Sequence, residues 1–477
     1  MYKKLILFSL LIAPIICLGG SSGGSHGLNG EDLSIFWVIP FVGILLSIAI
    51  FPLVLPDFWH HNFGKISLFW ASILILPLLF YHGLDKATYE LLHVGLDEYV
   101  PFVILLLALF TISGGVRLTG TLVGTPIVNL AIIAIGTLLA SWMGTTGAAM
   151  LLIRPLINAN KQRKNKVHII VFFIFLVANI GGSLTPLGDP PLFLGFLKGV
   201  SFFWTTSAML LPMIIMVVAL LIIFYFLDSY FVKKENFKVD TDNKKTKLGV
   251  EGVFNLGLIL GVIGAVLISG FWKGPEFAIY PGVVLKLQNI TRDILLLTLT
   301  YISWTYTPQQ IRKDNEYTWF PIVEVAKLFA GIFVTIIPVM DILKAKEKGV
   351  LDFVINAVKD DQGNAVNIMY FWLTGILSSF LDNAPTYLVF FGAAGGLSPE
   401  MGPEYLMNEG YQTLLAISAG AVFMGAMTYI GNAPNFMVKS ISESSGINMP
   451  SFFGYLFKWS APILVPLFII VSWLFFG

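Results

Sequence analysis

Long apolar runs, separated by charged or Gly/Pro-rich connectors, dominate the chain. Runs long enough to cross a bilayer lie at 33–55, 65–84, 100–119, 167–200, 208–231, 251–269, 289–306, 318–340, 411–447 and 455–476. Two further apolar stretches, 126–159 and 366–393, do not fit a simple crossing, and the connectors show why. The Lys/Arg-rich segments Arg154–Lys166 and Lys233–Lys247 belong in the cytoplasm, and the acid-rich Asp85–Glu98 and Glu400–Glu409 outside. With the chain entering the membrane from outside, 126–159 lies between two cytoplasmic flanks, Arg117 and Arg154–Lys166. Likewise 366–393 lies between two external flanks. Both must therefore be re-entrant hairpins, with polar tips at Ser141–Gly147 and Ser378–Thr386. Each half then reads as three helices, a hairpin, a broken helix and a closing helix, in opposite orientations. The expected fold is an all-α polytopic membrane protein made of an inverted repeat, 33–231 and 251–477, joined by a cytoplasmic basic loop, 232–250.

Composition agrees. The chain is 56% hydrophobic and only 12% charged, with mean hydropathy +0.81, whereas soluble domains carry about 25% charged residues. The lipid bilayer is thus the expected surrounding partner. A net charge of +1 gives no reason to expect nucleic acid, and the single Cys17 excludes an internal disulfide or a thiolate metal site. Forty-five Gly and twenty-four Pro are many for membrane helices, which must satisfy their backbone internally. At the start, Lys3 and Lys4 precede an apolar run, so 1–20 reads as a signal peptide, with an uncleaved first helix as the alternative, and 21–32 as a flexible Gly/Ser linker.

The interruptions match between halves. Thr185-Pro-Leu-Gly188-Asp189-Pro-Pro191-Leu-Phe193 and Thr428-Tyr-Ile-Gly431-Asn432-Ala-Pro434-Asn-Phe436 share T-x-x-G-[D/N]-x-P-x-F, and the hairpin tips align as Ser141-x-x-x-Thr145 and Ser379-x-x-x-Asn383. Helix breaks inside a membrane leave free backbone amides and carbonyls, tolerated only where they line a cavity or bind something. Inverted repeats with broken helices place a substrate site near the midplane of a secondary transporter. No HExxH is present for zinc, and Pro186 stands where an intramembrane aspartyl protease would need glycine. A carrier is therefore expected rather than an enzyme, with no cofactor beyond transported or coupling ions.

The segments GGSLTPLGDPPLFLGFLKGV, SSFLDNAPTYLVFF, TYIGNAPNFMVKSISE and PIVEVAKLFAGIFVTIIP resemble the ion-transporter superfamily. That group includes NhaD-type sodium/proton antiporters, arsenite permeases and citrate and dicarboxylate transporters. The resemblance runs from about residue 35 and is strongest to bacterial NhaD-type antiporters and citrate-transporter-like proteins. It implies a bacterial inner-membrane secondary transporter, a homodimer, with elevator-like movement of the site. It also implies ligand roles for Ser141, Thr145 and Thr146 at the first tip and for Ser379, Asn383 and Thr386 at the second.

Asp189 is the leading candidate for ion coupling, because a carboxylate in a membrane-embedded break is costly unless paired or functional. Sodium and a proton would compete for its oxygens; the alternative is a helix cap. Asp382 and Asn383 are its counterparts, and Asp189, Asp382 and Asn383 form the sodium candidates, with Thr185, Thr428 and Asn432 as further oxygen ligands. Glu324 is a possible proton relay, or an i, i+3 partner of Lys327. Arg117 is expected to snorkel, and His60, His61, His82 and His93 to lie in connectors. Two acids at the tips and no Lys or Arg favour exchange of cytoplasmic sodium for external protons. A sodium-coupled citrate or dicarboxylate carrier, using those acids to hold sodium, is the alternative.

Overall fold

The computed structural model describes residues 27–237, 247–398 and 400–477. The predicted signal peptide and part of the linker lie outside the described residues. The rest is a predominantly helical, multi-pass membrane architecture. Seven helices among the described residues are long and apolar enough to cross a bilayer, or eight with the bent pair Phe320–Thr335 and Ile337–Lys344. Leu287–Tyr306, expected as a span, has the length but not the apolarity, because Arg292, Asp293 and several Thr interrupt it.

Both stretches expected to turn back are helix–turn–helix pairs. Pro126–Met143 and Thr145–Ala159 turn at Gly144, whose φ of 79° suits glycine, and Asn367–Phe380 and Asn383–Ala393 turn at Leu381 and Asp382. The base of the first is closed by the Gly124 amide donating to the Ala159 carbonyl at 2.8 Å. The broken helices follow: Val167–Leu176, a 3-10 turn Ile180–Leu184 and Pro190–Leu197 in the first half; Tyr411–Met424, Gly425–Met427 and Ala433–Ser444 in the second. Pro190 and Pro434 sit at the restart of each helix, where the missing N–H costs nothing.

Ion pairs gather the connectors at two opposite ends. At one end Arg117 pairs with Asp314 and Glu251, Arg154 with Glu316, and Arg163 with Glu235. At the other, Lys198 meets Glu98, Lys348 meets Glu31, and Lys346 meets Glu400. The first set is the predicted cytoplasmic one and the second the predicted external one.

Several expectations need correction. The predicted connectors around His60 and Asp85 are helical: Pro56–Val94 is continuous apart from a break at Gly83 (φ 81°). Charge density argues against lipid contact but not against a helix: Pro56 suits a first helical position, and Lys86–Leu92 is rich in helix formers. Arg117 does not snorkel but is held by two carboxylates. Two short ribbons occur in an otherwise helical chain, Arg117–Thr119 with Gly249–Glu251 and Glu276–Tyr280 with Val283–Lys286. The described end of the Gly/Ser linker is packed: Leu28 and Gly30 are buried, and the Leu28 amide donates to Glu90 at 2.9 Å.

Candidate functional site

Each hairpin is fastened to the break of its own half by a matching set of bonds. In the first, the Ser141 hydroxyl donates to the Gly181 carbonyl and Thr185 donates to the Ser141 carbonyl. In the second, Ser379 donates to Met424 at 2.9 Å and Thr428 donates to the Ser379 carbonyl. The same hydroxyls accept backbone amides, Thr185 from Leu187 and Thr428 from Ile430, both at 3.2 Å. The hydroxyls of Ser141, Ser379, Thr185 and Thr428 are thus engaged in fastening backbone to backbone. Backbone contact inside each break is close: a Cβ on Gly188 would stand 2.1 Å from the Gly182 carbonyl oxygen, and one on Gly431 2.6 Å from that of Gly425.

Fastened this way, the tips and breaks converge on Asp189. Asn383 donates to its Oδ2 at 2.7 Å, Asn432 donates to its Oδ1 at 2.9 Å, and the Thr145 hydroxyl donates to Oδ1 at 3.4 Å. All four residues are buried. Four helices therefore begin around one carboxylate: Thr145–Ala159, Pro190–Leu197, Asn383–Ala393 and Ala433–Ser444. The halves also interleave, since Asn383–Ala393 packs against Pro190–Leu197 and Ala433–Ser444 against Thr145–Ala159.

The other candidates sit elsewhere. Asp382 takes the place of Gly144: its φ is 75°, and its carboxylate accepts the Ala384 amide at 3.0 Å, a helix cap. Thr386, one turn on, bonds back to the Asp382 carbonyl at 2.8 Å and lines an apolar groove with Pro385 and Val389. A cavity of about 490 Å³ runs from exposed Asp57 and His60 at the basic end down to Asp189, Thr145 and Thr146. Glu324 lies on its wall, hydrogen-bonded to Trp59 rather than paired with Lys327, whose ammonium sits over the Phe63 ring. Among the residues lining it there is no Lys or Arg.

Sequence reasoning missed Asn179 and Asn435. Asn179 donates to Asn435 Oδ1 at 2.7 Å, and Asn435 donates to the Gly425 and Thr428 carbonyls at 2.8 and 2.9 Å. The Asn432 amide also reaches Asn179 Oδ1 at 3.3 Å. A lone Asn inside FFIFLVANIGG was the available signal. Asn383 Oδ1 is buried with no hydrogen-bond partner.

Two hairpins meeting two broken helices inside a multi-pass bundle, with a cavity reaching their junction from one end, define a membrane carrier. Residues 30–476 match the family profile described as "Putative citrate transport", and the chain belongs to that family. No curated protein matches the chain.

Proposed function

We propose that this chain is a cation-coupled carrier of small carboxylate anions of the citrate kind, working by alternating access across the bacterial inner membrane. The observation that carries this reading is the meeting of four helix N-termini around Asp189. Each helix start presents about half a positive charge, so together they offset the charges of Asp189 and the nearby Asp382 and let an anionic group approach the junction. The lack of Lys and Arg, which from sequence favoured a cation as cargo, thus loses its force: oriented backbone supplies the positive field. Family membership points the same way. Asp189 and the unpartnered Asn383 Oδ1 supply hard oxygens for the coupling sodium ion or proton. The cavity from Asp57 to Asp189 opens at the basic end, which the positive-inside rule assigns to the cytoplasm, so this is an inward-open form.

Sodium/proton antiport is the second reading, favoured by one observation: the groups that bond Asp189, from Thr145, Asn383 and Asn432, are all neutral. A proton and sodium would exchange on it without any organic cargo. Reconstitution separates the two. Under the first reading, labelled citrate accumulates in proteoliposomes when a sodium or proton gradient is imposed. If sodium alone collapses an imposed pH gradient, and citrate neither enters nor alters the exchange, the second reading replaces it.

A further inference from the structure

Away from the carrier site, the basic end holds a second cleft of about 450 Å³. It lies between the connector 164–168, the end of Phe202–Lys234, and the start of the closing helix at Phe452. Lys164, Lys166 and Lys458 line it, with His168, Ser451 and Trp459, and no acidic residue is among its lining. Lys166 Nζ donates only to the Lys161 carbonyl, at 3.0 Å, and among the described residues neither Lys164 nor Lys458 has an acidic partner within ion-pair distance.

The connector carrying two of these lysines is held rigidly. Buried Arg163 donates to Asp228 at 2.7 Å, to Glu235 at 2.6 Å and to the Gly124 carbonyl at 2.9 Å. His168 meets the same Asp228 oxygen at 2.9 Å, and Glu235 takes the amides of Lys164 and Asn165 at 2.6 and 3.2 Å. Among the described residues the nearby acids Asp228 and Glu235 are engaged behind the cleft, and its ammonium groups face no carboxylate. Half-buried Trp459 lines the cleft, and exposed Phe453 and Phe457 neighbour its Gly454 and Lys458 in the chain, the amphipathic surroundings of a membrane–water boundary. Such groups suit an anionic phosphate, whose oxygens lysines hold as point charges.

We propose that this cleft binds a phosphate group, held by Lys164, Lys166 and Lys458, supplied by the headgroup of an anionic phospholipid or by a soluble phosphate. Basic pockets between membrane helices on the cytoplasmic side take such headgroups. The test measures thermal unfolding of the full-length protein in neutral detergent with added phosphatidylglycerol, phosphatidylcholine or inorganic phosphate. Phosphatidylglycerol is expected to raise the midpoint by about 2–5 °C and phosphatidylcholine not at all. The same rise with inorganic phosphate, with none added by the lipid, would assign the group to a soluble source. Lys164→Ala/Lys166→Ala/Lys458→Ala should lose the shift, while Lys65→Ala/Lys313→Ala on the same face should keep it. Should the triple variant not fold, Lys458→Ala alone is expected to retain several-fold less phosphatidylglycerol through purification. No shift with either phosphate source, or a full shift or full retention in the lysine variants, overturns the proposal.

Discussion

The two hairpin–break units share a frame and differ in charge. Ser141 with Thr185 and Ser379 with Thr428 make the same fastening, and Gly188 against Gly182 repeats as Gly431 against Gly425. On that frame the first unit carries glycine at the hairpin turn, a hydroxyl beside it and an acid at the break: Gly144, Thr145, Asp189. The second carries Asp382, Asn383 and Asn432 at the equivalent places. Its acid has moved to a strained turn, where it caps a helix, and its amides reach across to the first unit's carboxylate. Asp382 still acts on Asp189 through space, but the junction's neutral side-chain donors bond Asp189 alone, and the proposed coupling role rests on that contrast.

Changes at paired positions test this contrast, beginning with the largest effect. Asp189→Asn should abolish coupled uptake in proteoliposomes while the protein still inserts, whereas Asp382→Asn, which keeps a capping oxygen, should retain most of it. Equal loss in both would erase the distinction between the units. Gly188→Ala should cost about 3 kcal/mol or more, through collision with a backbone carbonyl that cannot step aside, with Gly431→Ala milder. Unfolding midpoints in detergent would rank them. Thr185→Val and Thr428→Val should each cost about 1–3 kcal/mol by leaving a buried carbonyl unbonded. Near-identical losses are expected, since the fastenings match. The smallest effect separates strain from capping. Asp382→Ala keeps the strained φ and loses the cap, at about 1–2 kcal/mol. Asp382→Gly loses the cap but relieves the strain and should lie closer to neutral; a greater loss with glycine would deny that the turn is strained.

The hairpins were legible because charge bookkeeping forces a segment with like-sided flanks to turn back, whatever its local propensity. The breaks were legible because Pro and Gly cannot continue a helix, and the match between Thr185–Phe193 and Thr428–Phe436 placed Asp189 and Asn432 at equivalent points. Hydroxyl roles were not. A serine beside a membrane break can bind an ion or fasten a backbone, and only the position of the Gly181 and Met424 carbonyls decides between them. Asp382 was similarly ambiguous, since a positive φ leaves no mark on residue type when the residue is not glycine. Asn179 and Asn435 bond across 256 residues, beyond any local pattern. The helical connector after Gly83 was missed because its charges were read as a loop signal.

The Asn179–Asn435 bond, with Asn432 beside it, has a mechanical consequence. It joins the two breaks behind Asp189, as a pin joins the leaves of a hinge from the closed side. Parting the leaves would strand several buried amides without partners, so the cage has no low-cost way to split along its midline. Under the carrier function proposed above, the two breaks are thus expected to move as one body when the cargo is exchanged.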